Sequence, residues 1–309
     1  MGIIYCKRCI NNNQNPQVKI EGNGYCNYCN KFNKNFNLTL VEKELNEFKR
    51  IAKTESISLA YSGGKDSTVA LYKLIHDFGV KPKLFFIDVC YAPKRVKENS
   101  IKLAEYFGLK LDIVPQAPYY DEEIISKFKQ LSKIIPKTFS NPAELRKYYI
   151  GGDGFVRPCW VCMKAREKMF FDIPKKQGCN NLILAYNEWA QLEPFVSGIR
   201  EIKQSNESVK IFHLPFLMRL KMKDIEETLK KIPVFQEINL ESGSKDCLLS
   251  RYTETKLNDT LGFHPDSLRL AAETMVGFLT KEEAKIALSK RWPDESDKLP
   301  GLVDEIIKG

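Results

Sequence analysis

The stretch Ser62-Gly63-Gly64-Lys65-Asp66-Ser67 separates an apolar segment of β type, residues 57–61, from an amphipathic helical pattern over residues 67–78. Adjacent glycines let the backbone turn several N–H groups toward an anion, and the helix that follows adds the positive end of its dipole. The lysine and the serine hydroxyls add further donors. The stretch therefore predicts a strand, a phosphate-binding loop and a helix, which together begin an α/β domain.

The spacing of these glycines differs from the common phosphate loop, which keeps four residues between them. An ordinary glycine turn, with Asp66 or Ser67 as the helix cap, is the alternative interpretation. The six residues together resemble the signature of the PP-loop ATP pyrophosphatases, which cleave ATP between the α and β phosphates. Members of that superfamily adenylate an acceptor oxygen and then let nitrogen or sulfur displace AMP.

The resemblance implies ATP and Mg²⁺ as cofactors and gives each loop residue a role. The developing charge on pyrophosphate must be stabilised, and Mg²⁺ shares that task. Lys65 would neutralise charge on the departing phosphates, and Asp66 would position Mg²⁺ or cap the helix, which makes both candidate catalytic residues. Pyrophosphate binding falls to Ser62, Gly63, Gly64 and Ser67.

Segments of β type alternate with helical segments through the middle of the chain, which predicts a parallel sheet with right-handed crossovers. The expected fold is α/β: a Rossmann-like, HUP-type sheet flanked by helices, with an N-terminal zinc ribbon and a helical C-terminal extension. The predicted strands lie near 57–61, 83–88, 110–114 and 181–185, and the predicted helices near 40–53, 67–78, 94–107 and from Cys159 to about 172.

Ligands of such a sheet lie beyond the carboxyl ends of its strands. The resemblance therefore implies that Tyr61, Asp88 and Asn187, each near a predicted strand end, belong to the nucleotide pocket. A lone acid at a strand end is otherwise an ordinary cap, so a structural role for Asp88 stays open. Glu188 is held beside Asn187 as a further candidate.

The N-terminal cysteines have the spacing C-x2-C-x16-C-x2-C, which is typical of a four-thiolate zinc ribbon. The intervening residues Gly22-Asn23-Gly24 can turn the chain so that the two pairs meet. A segment with so few apolar residues cannot fold alone, so the metal would supply its folding energy. A redox role for either pair is the alternative. The predicted zinc ligands are Cys6, Cys9, Cys26 and Cys29.

A third C-x2-C pair, Cys159 and Cys162, follows Arg157-Pro158 at the start of a predicted helix. A helix N-terminus lowers thiol pKa values, which suits metal ligation or nucleophilic sulfur chemistry. The pattern Arg-Pro-Cys-x-x-Cys, helix, strand and polar turn resembles the tRNA thiolation branch of the superfamily. That branch commonly has a Gly-His-Asn turn where this chain has Ala185-Tyr186-Asn187.

The thiolation resemblance implies that Cys159, Cys162 and Cys247 hold a four-iron, four-sulfur ([4Fe-4S]) cluster with one iron open to sulfide. Two alternatives remain open at this point. Cys159 and Cys162 could be a catalytic dithiol, or they could form a second zinc site completed by His213 or His264. Cys179, at a helix-to-strand junction, is interpreted as packing.

The formal charge of +9, from 48 lysines and arginines against 39 acids, favours a polyanionic partner such as RNA, although solvated lysines give the same total. No run of 18 apolar residues and no signal peptide are seen, so we expect a cytoplasmic protein without a membrane partner. Three parts are expected: residues 1–37 as zinc ribbon and linker, 38–215 as the ATP-binding domain, and 216–309 as a helical region.

Three functions compete. The first is thiolation of tRNA or another nucleobase-containing acceptor, with an unidentified sulfur donor. The second is a glutaminase-coupled N-acetyl sugar amidotransferase, because Cys6-Lys7-Arg8-Cys9 and Gly24-Tyr25-Cys26-Asn27-Tyr28-Cys29 resemble the opening of that family. The third is a non-catalytic zinc-ribbon RNA-binding protein, against which the intact glycine loop argues. The oligomeric state stays open, with a homodimer among the options.

Overall fold

A six-stranded sheet with the strand order β3-β2-β1-β4-β6-β5 organises the chain. The structure is a computed structural model that describes residues 2–137, 143–144, 158–185, 197–236 and 247–308. Its strands are β1 (Ile57–Ala60), β2 (Lys83–Asp88), β3 (Leu111–Pro115), β4 (Asn181–Leu184), β5 (Ile199–Gln204) and β6 (Glu207–His213).

The first strand occupies the centre of the sheet, with parallel partners on both sides. Leu59 pairs with Leu84 of β2 and with Ile183 of β4. The chain first adds β2 and β3 on one side of β1 and later adds β4 and β6 on the other. The strand order therefore reverses between β1 and β4, and the carboxyl ends of these two strands are where ligands of such sheets bind. The predicted α/β fold with a mostly parallel sheet is confirmed.

Twelve α-helices are described, and two 3₁₀ turns, 117–119 and 296–298, join them. The helices are α1 (Asn27–Asn35), α2 (Leu38–Thr54), α3 (Lys65–His76), α4 (Lys94–Tyr106), α5 (Glu122–Ile134), α6 (Pro158–Lys176), α7 (Leu214–Leu217), α8 (Met222–Leu229), α9 (Leu248–Leu261), α10 (Ser267–Met275), α11 (Lys281–Ser289) and α12 (Leu299–Lys308).

Helix ends follow the local chemistry. Asn37 caps α2 by accepting a hydrogen bond from the Leu40 N–H at 3.2 Å, and Asp121 caps α5 through the Ile124 N–H at 2.9 Å. At α11, Thr280 and Glu283 form the reciprocal capping box. Polar caps followed by apolar residues at helical spacing thus set these boundaries.

Two features depart from the pattern predicted above. Helix α6 does not end near residue 172 but continues through Pro174 to Lys176. A proline in the last turn removes only one backbone donor, and the Pro174 carbonyl still accepts the Cys179 N–H at 2.8 Å. The sheet also gains a hairpin, because β5 pairs antiparallel with β6.

Apolar side chains from distant parts of the chain form four clusters, of which two matter most for the site. One runs from the N-terminal cysteines across β1, α2 and α3 to α10 and α11. The other joins α5, α6, α9 and α12 around Tyr91. The three-part division at residues 37 and 215 stays a prediction. Within the described residues, no helix combines the length and the hydropathy that a membrane crossing needs.

Candidate functional site

The glycine loop leaves β1 at the carboxyl edge of the sheet and ends at the start of α3. Gly63 has φ +67°, a left-handed conformation that favours glycine, and an added Cβ would lie 2.5 Å from Ser100 Oγ and 2.8 Å from Ser100 Cα. Gly64 is the N-cap residue and has no side-chain cap, so the interpretation with Asp66 or Ser67 as N-cap is wrong. The first N–H groups of α3 are therefore not satisfied by a capping side chain.

Hydrogen bonds fix the shape of this loop. Ser62 Oγ and Ser67 Oγ lie 3.1 Å apart, and the Gly64 N–H donates to Ser62 Oγ at 3.4 Å. From α4, Ser100 Oγ donates to the Ser62 carbonyl at 2.8 Å and Asn99 Nδ2 donates to the Gly63 carbonyl at 3.2 Å. The Ser62 and Gly63 carbonyls are thus both bonded to α4, which holds this part of the loop against that helix. No sequence motif singled out Asn99 or Ser100.

Tyr61 directly follows β1 and connects the start of the loop to helix α3. Its ring is 2% exposed, and its hydroxyl lies 3.2 Å from Thr68 Oγ1 on α3. Burial raises the pKa of the Tyr61 phenol above its usual range. Its hydroxyl bond runs to the protein interior, so its expected part in nucleotide binding stays a prediction.

Lys65 Nζ lies 3.6 Å from Met222 Sδ at the start of α8. The C-terminal part of the chain therefore reaches the glycine loop. Hydrogen bonds from the Thr280 N–H and hydroxyl lower the pKa of Glu283 below its usual range, with the Lys65 charge contributing. The lysine thus has an acidic neighbour near the site.

Asp88 ends β2, beside the end of β1. Lys97 Nζ of α4 forms an ion pair with Asp88 Oδ2 at 2.6 Å, and the Gln116 N–H donates to the Asp88 carbonyl at 2.9 Å. A cation that no motif predicted therefore accompanies this acid at the carboxyl edge. Asn187 and Glu188 lie outside the described residues.

A second polar centre follows β2. Tyr91 is 1% exposed, and its hydroxyl lies 3.1 Å from Cys162 Sγ on α6. The same hydroxyl donates a hydrogen bond to Gln116 Oε1 at 3.1 Å. Gln116 Nε2 in turn donates to the Cys162 carbonyl at 3.3 Å. The Leu248 N–H, next to Cys247, donates to the Tyr91 carbonyl at 2.9 Å. One tyrosine therefore joins the strand end to two of the cysteines.

Cys159, Cys162 and Cys247 lie near this centre, although among the described residues their sulfurs do not form a set close enough to hold a single metal ion. Burial raises the pKa of Cys247 above its usual range, and the nearby Cys162 and Cys159 raise it further. Burial likewise raises the pKa of Cys162, while the Arg166 charge opposes that shift. Cys247 also caps α9, because its sulfur accepts the Ser250 N–H at 3.4 Å. The charges of Cys159 and Cys162 thus act on Cys247, and the surroundings of Cys162 and Cys247 disfavour free thiolates.

The histidines do not join these cysteines. His264 Nε2 lies 3.2 Å from Glu254 Oε1, and its Nδ1 accepts the Asp266 N–H at 3.1 Å, so both ring nitrogens are engaged. His213 is 2% exposed at the end of β6. Within the described residues, neither histidine lies in a set of close metal-binding atoms. The described residues therefore do not support the alternative in which His213 or His264 completes a second zinc site.

The four N-terminal cysteines form a closed, buried set whose sulfurs all lie within 4.8 Å of one another. Two of the sulfur pairs are 3.7 Å apart, Cys6 with Cys29 and Cys9 with Cys26. A tetrahedron with metal–sulfur bonds of about 2.3 Å has edges of about 3.8 Å, so the set has the dimensions of one tetrahedral ion.

Hydrogen bonds within this set divide the thiols unevenly. Hydrogen bonds from Cys29 and Cys9 lower the pKa of Cys26 to about 2, whereas the bond each makes with Cys26 raises the pKa of Cys9 and Cys29. The Cys26 N–H supports Cys6 Sγ at 3.2 Å. Without a cation only part of the set can be ionised, and a bound metal would let all four become thiolates.

Comparisons with known proteins add little about activity. No family model matches the chain. An uncharacterized protein of Methanocaldococcus jannaschii is 24% identical over 295 residues, which cover 92% of this chain and 93% of that protein. The solved U34-tRNA thiolase NcsA from Methanococcus maripaludis, with its [4Fe-4S] cluster, has a TM-score of 0.40 and 14% identity, covering 94% of this chain and 89% of that one. So low a TM-score carries no functional argument.

Proposed function

We propose that this protein is a cytoplasmic ATP pyrophosphatase that forms AMP and pyrophosphate, adenylates an oxygen of a nucleobase, and replaces that oxygen with sulfur. The acceptor class we favour is tRNA, which agrees with the formal charge of +9. Lys65 and Asp66 serve the ATP step, and Cys159 and Cys162, with Cys247, serve the sulfur step.

One observation carries this proposal: Tyr91 follows β2 at the carboxyl edge where the glycine loop also lies, and it bonds to Cys162 through its hydroxyl and to Leu248 through its carbonyl. A nucleotide bound at the loop would therefore lie on the same edge of the sheet as the thiols. Activation of an oxygen and delivery of sulfur to the carbon that carries it, with AMP leaving, require that proximity.

The glycine loop performs the ATP half. Its shape is fixed by Ser100 and Asn99 before ATP arrives, so the uncapped N–H groups at the start of α3 need no rearrangement to meet the phosphates. Lys65 neutralises negative charge that grows on pyrophosphate, and Asp66, in the first turn, holds Mg²⁺.

The cysteine donors fit an iron–sulfur cluster. A cluster binds its cysteines through separate iron atoms, so its ligands need not be as close together as those of a single zinc ion. Three neighbouring thiols, of which Cys162 is buried and Cys159 exposed, are stabilised as thiolates once iron is bound. When bound, the cluster supplies an iron that can carry sulfide. The chain's own residues hold the ligands: Tyr91 orients Cys162, and the start of α9 orients Cys247.

We also propose that Cys6, Cys9, Cys26 and Cys29 hold Zn²⁺. The sulfur spacing of 3.7 Å supports this, and so do the four buried thiols with no oxygen or nitrogen ligand among them. This site would be structural, because all four ligands come from the protein and no coordination position is left open.

The test is anaerobic purification followed by iron, zinc and acid-labile sulfide analysis and an assay of AMP formation with bulk tRNA. We expect iron with sulfide in one cluster and one zinc in the wild type. Cys247→Ser should lose the iron yet keep the fold, because serine also caps helices. Cys179→Ser, a buried cysteine away from the centre, should keep both metals.

Lys65→Ala should abolish AMP formation while leaving both metals bound, and Lys73→Ala, on the same helix but paired with Asp77, should change little. If the protein contains zinc as its only metal and forms AMP with ammonia as the nucleophile, the reaction is amidation and not thiolation. Full AMP formation by Lys65→Ala would overturn the ATP site itself.

A further inference from the structure

A narrow pocket opens beside Cys159, between the N-terminus of α6 and the buried face of α9. Cys159 itself is exposed, whereas Thr253 and Glu254, which line the other wall, are buried. The cavity has a volume of about 10 Å³, which is room for about one water-sized molecule. It therefore suits a very small ligand next to the sulfur centre.

The carboxylate of Glu254 is held in a fixed orientation within this wall. The residue is 5% exposed, and its Oε1 lies 3.2 Å from His264 Nε2. Because His264 Nδ1 accepts the Asp266 N–H, the ring proton must be on Nε2, and Nε2 donates to Oε1. The neutral histidine thus positions Glu254 as an acceptor.

The second oxygen of this carboxylate, Oε2, is buried and meets no hydrogen-bond partner among the residues that the structure describes. A buried polar atom without a partner loses its hydration without compensation, and native proteins fill such positions with water or ligand. Oε2 therefore indicates where the occupant of the pocket binds.

Two other polar groups of the pocket, Thr253 and Asp266, also offer acceptors. Thr253 uses its hydroxyl proton on the carbonyls of Leu249 and Ser250, at 3.1 and 3.0 Å, which leaves its oxygen lone pairs. Asp266 presents a second carboxylate, paired with Arg269 at 3.3 Å. Acceptors on several sides favour a neutral or cationic hydrogen-bond donor and disfavour an anion such as hydrosulfide.

We infer that this pocket binds the small nucleophile of the second half-reaction in its protonated form, hydrogen sulfide in the thiolation proposed above, and that Glu254 Oε2 accepts its hydrogen bond beside Cys159. This inference rests on the proposed function for the identity of the nucleophile. The same acceptors would hold ammonia or ammonium, so the experiment needs both nucleophiles.

The test titrates sulfide, anaerobically, against the full-length metal-loaded protein with ATP and bulk tRNA, and follows ³⁵S incorporation. Glu254→Gln should raise the KM for sulfide about tenfold, which corresponds to about 1.4 kcal/mol, with kcat recovered at high sulfide. Glutamine still offers Oε1 to His264, so the fold should hold, and the melting temperature checks this. Glu273→Gln, a buried acid paired with Arg269 on α10, is the matched control and should leave the KM unchanged.

An unchanged KM for sulfide in Glu254→Gln, with an active wild type, would overturn the pocket assignment and leave thiolation standing. Absence of ³⁵S incorporation by the wild type would instead contradict thiolation. The pocket is then judged with ammonium as the nucleophile and AMP as the product: a raised KM for ammonium in Glu254→Gln supports it, and no effect overturns it.

A structural measurement is independent of activity. Crystals of the full chain grown without sulfide should show a water molecule within hydrogen-bond distance of Glu254 Oε2, and that density should be absent in Glu254→Leu. An empty, dry position beside Oε2 in the wild type would contradict the inference.

Discussion

At the scale of single residues, Gly63 is where the glycine loop packs tightly against α4. Its φ of +67° and the nearby Ser100 leave no space for a Cβ. Gly79 has the same φ of +67° but nothing within 4 Å of an added Cβ. Substituting each glycine by alanine therefore distinguishes the cost of a positive φ, which both sites share, from the cost of a steric clash, which only Gly63 has.

We predict that Gly63→Ala abolishes AMP formation and that Gly79→Ala does not. Both substitutions place alanine at positive φ, which costs about 1 kcal/mol. Only Gly63→Ala must also displace Ser100, and with it the hydrogen bond to the Ser62 carbonyl. AMP release and melting temperature measured on both variants check this. Equal activity in the two would mean that the loop geometry does not govern the ATP step.

His213 illustrates a residue whose burial has consequences for stability. Its surroundings lower its pKa from 6.5 to about 3, chiefly through burial, with the Arg200 charge assisting. As the pH falls below 6.5, the unfolded chain takes up a proton at this position but the folded protein does not, until about pH 3. The folded state is therefore progressively destabilised across that window.

Between pH 6.5 and 5.0 we predict that this residue lowers the free energy of unfolding by about 2 kcal/mol, because each pH unit is worth about 1.4 kcal/mol. His213→Gln should flatten the pH dependence by that amount, whereas the exposed His76 gives the control His76→Gln, which should not. Urea titrations at the two pH values measure it. Identical slopes in His213→Gln and the wild type would show that this histidine is not kept neutral.

At the scale of elements, strands β1 to β4 and helices α2 to α4 could be predicted because hydrophobic period, caps and glycine punctuation agree there. The hairpin of β5 and β6 could not. Its turn places Ser205 at φ +54°, a position where glycine is the usual sign of a hairpin. The edge strand β5 is also mostly polar, which protects an exposed edge but hides the strand from a hydrophobicity pattern.

The candidate site was predictable to a similar degree. The loop from Ser62 to Ser67 is one continuous segment, so its phosphate-binding chemistry can be predicted from the sequence. Ser100, Lys97 and Tyr91 reach the site only through tertiary packing of α4 and of the segment after β2, and no local motif marks them. The convergence of α6 with α9, which brings Cys162 toward Cys247, likewise depends on the fold.

The link between the end of β2 and helix α6 leads to a third prediction. Tyr91→Phe removes the hydroxyl shared by Gln116 and Cys162 and leaves the buried Gln116 Oε1 without its donor, which costs about 1–3 kcal/mol. We expect a lower melting temperature and faster loss of iron to a chelator. Tyr106→Phe, at an exposed helix end, is the control. Unchanged iron retention in Tyr91→Phe would show that the tyrosine does not position Cys162.

At the scale of the whole molecule, the N-terminal segment is attached to the C-terminal helices. Arg8 Nε donates to the Met275 carbonyl at 2.9 Å, and its guanidinium lies 4.6 Å from the centre of the Phe32 ring. Lys281 Nζ donates to the Cys6 carbonyl at 3.3 Å, and Asn15 Nδ2 to Ser267 Oγ at 3.3 Å. The four-cysteine segment and helices α10 and α11 therefore form one packed unit.

We predict that Cys26→Ser, by removing one ligand of the proposed zinc site, speeds amide hydrogen exchange in α10 and α11 at least tenfold while α5 keeps its protection. The reason is that these helices use the four-cysteine segment as a packing partner, whereas α5 packs in the cluster around Tyr91. Hydrogen exchange read by mass spectrometry checks this, with Cys179→Ser as the control. Unchanged exchange in α10 would show that the segment contributes no stability to them.

The contact between Arg8 and Met275 joins residues 267 positions apart in the chain. During synthesis, Arg8 and the four cysteines leave the ribosome long before helices α10 and α11, which pack against them, are made. Chain growth at about 5–20 residues per second leaves the segment without its partner for at least ten seconds or so. Early capture of a metal by the four cysteines would hold the segment in shape through that interval, so zinc supply during translation should set the yield of folded protein.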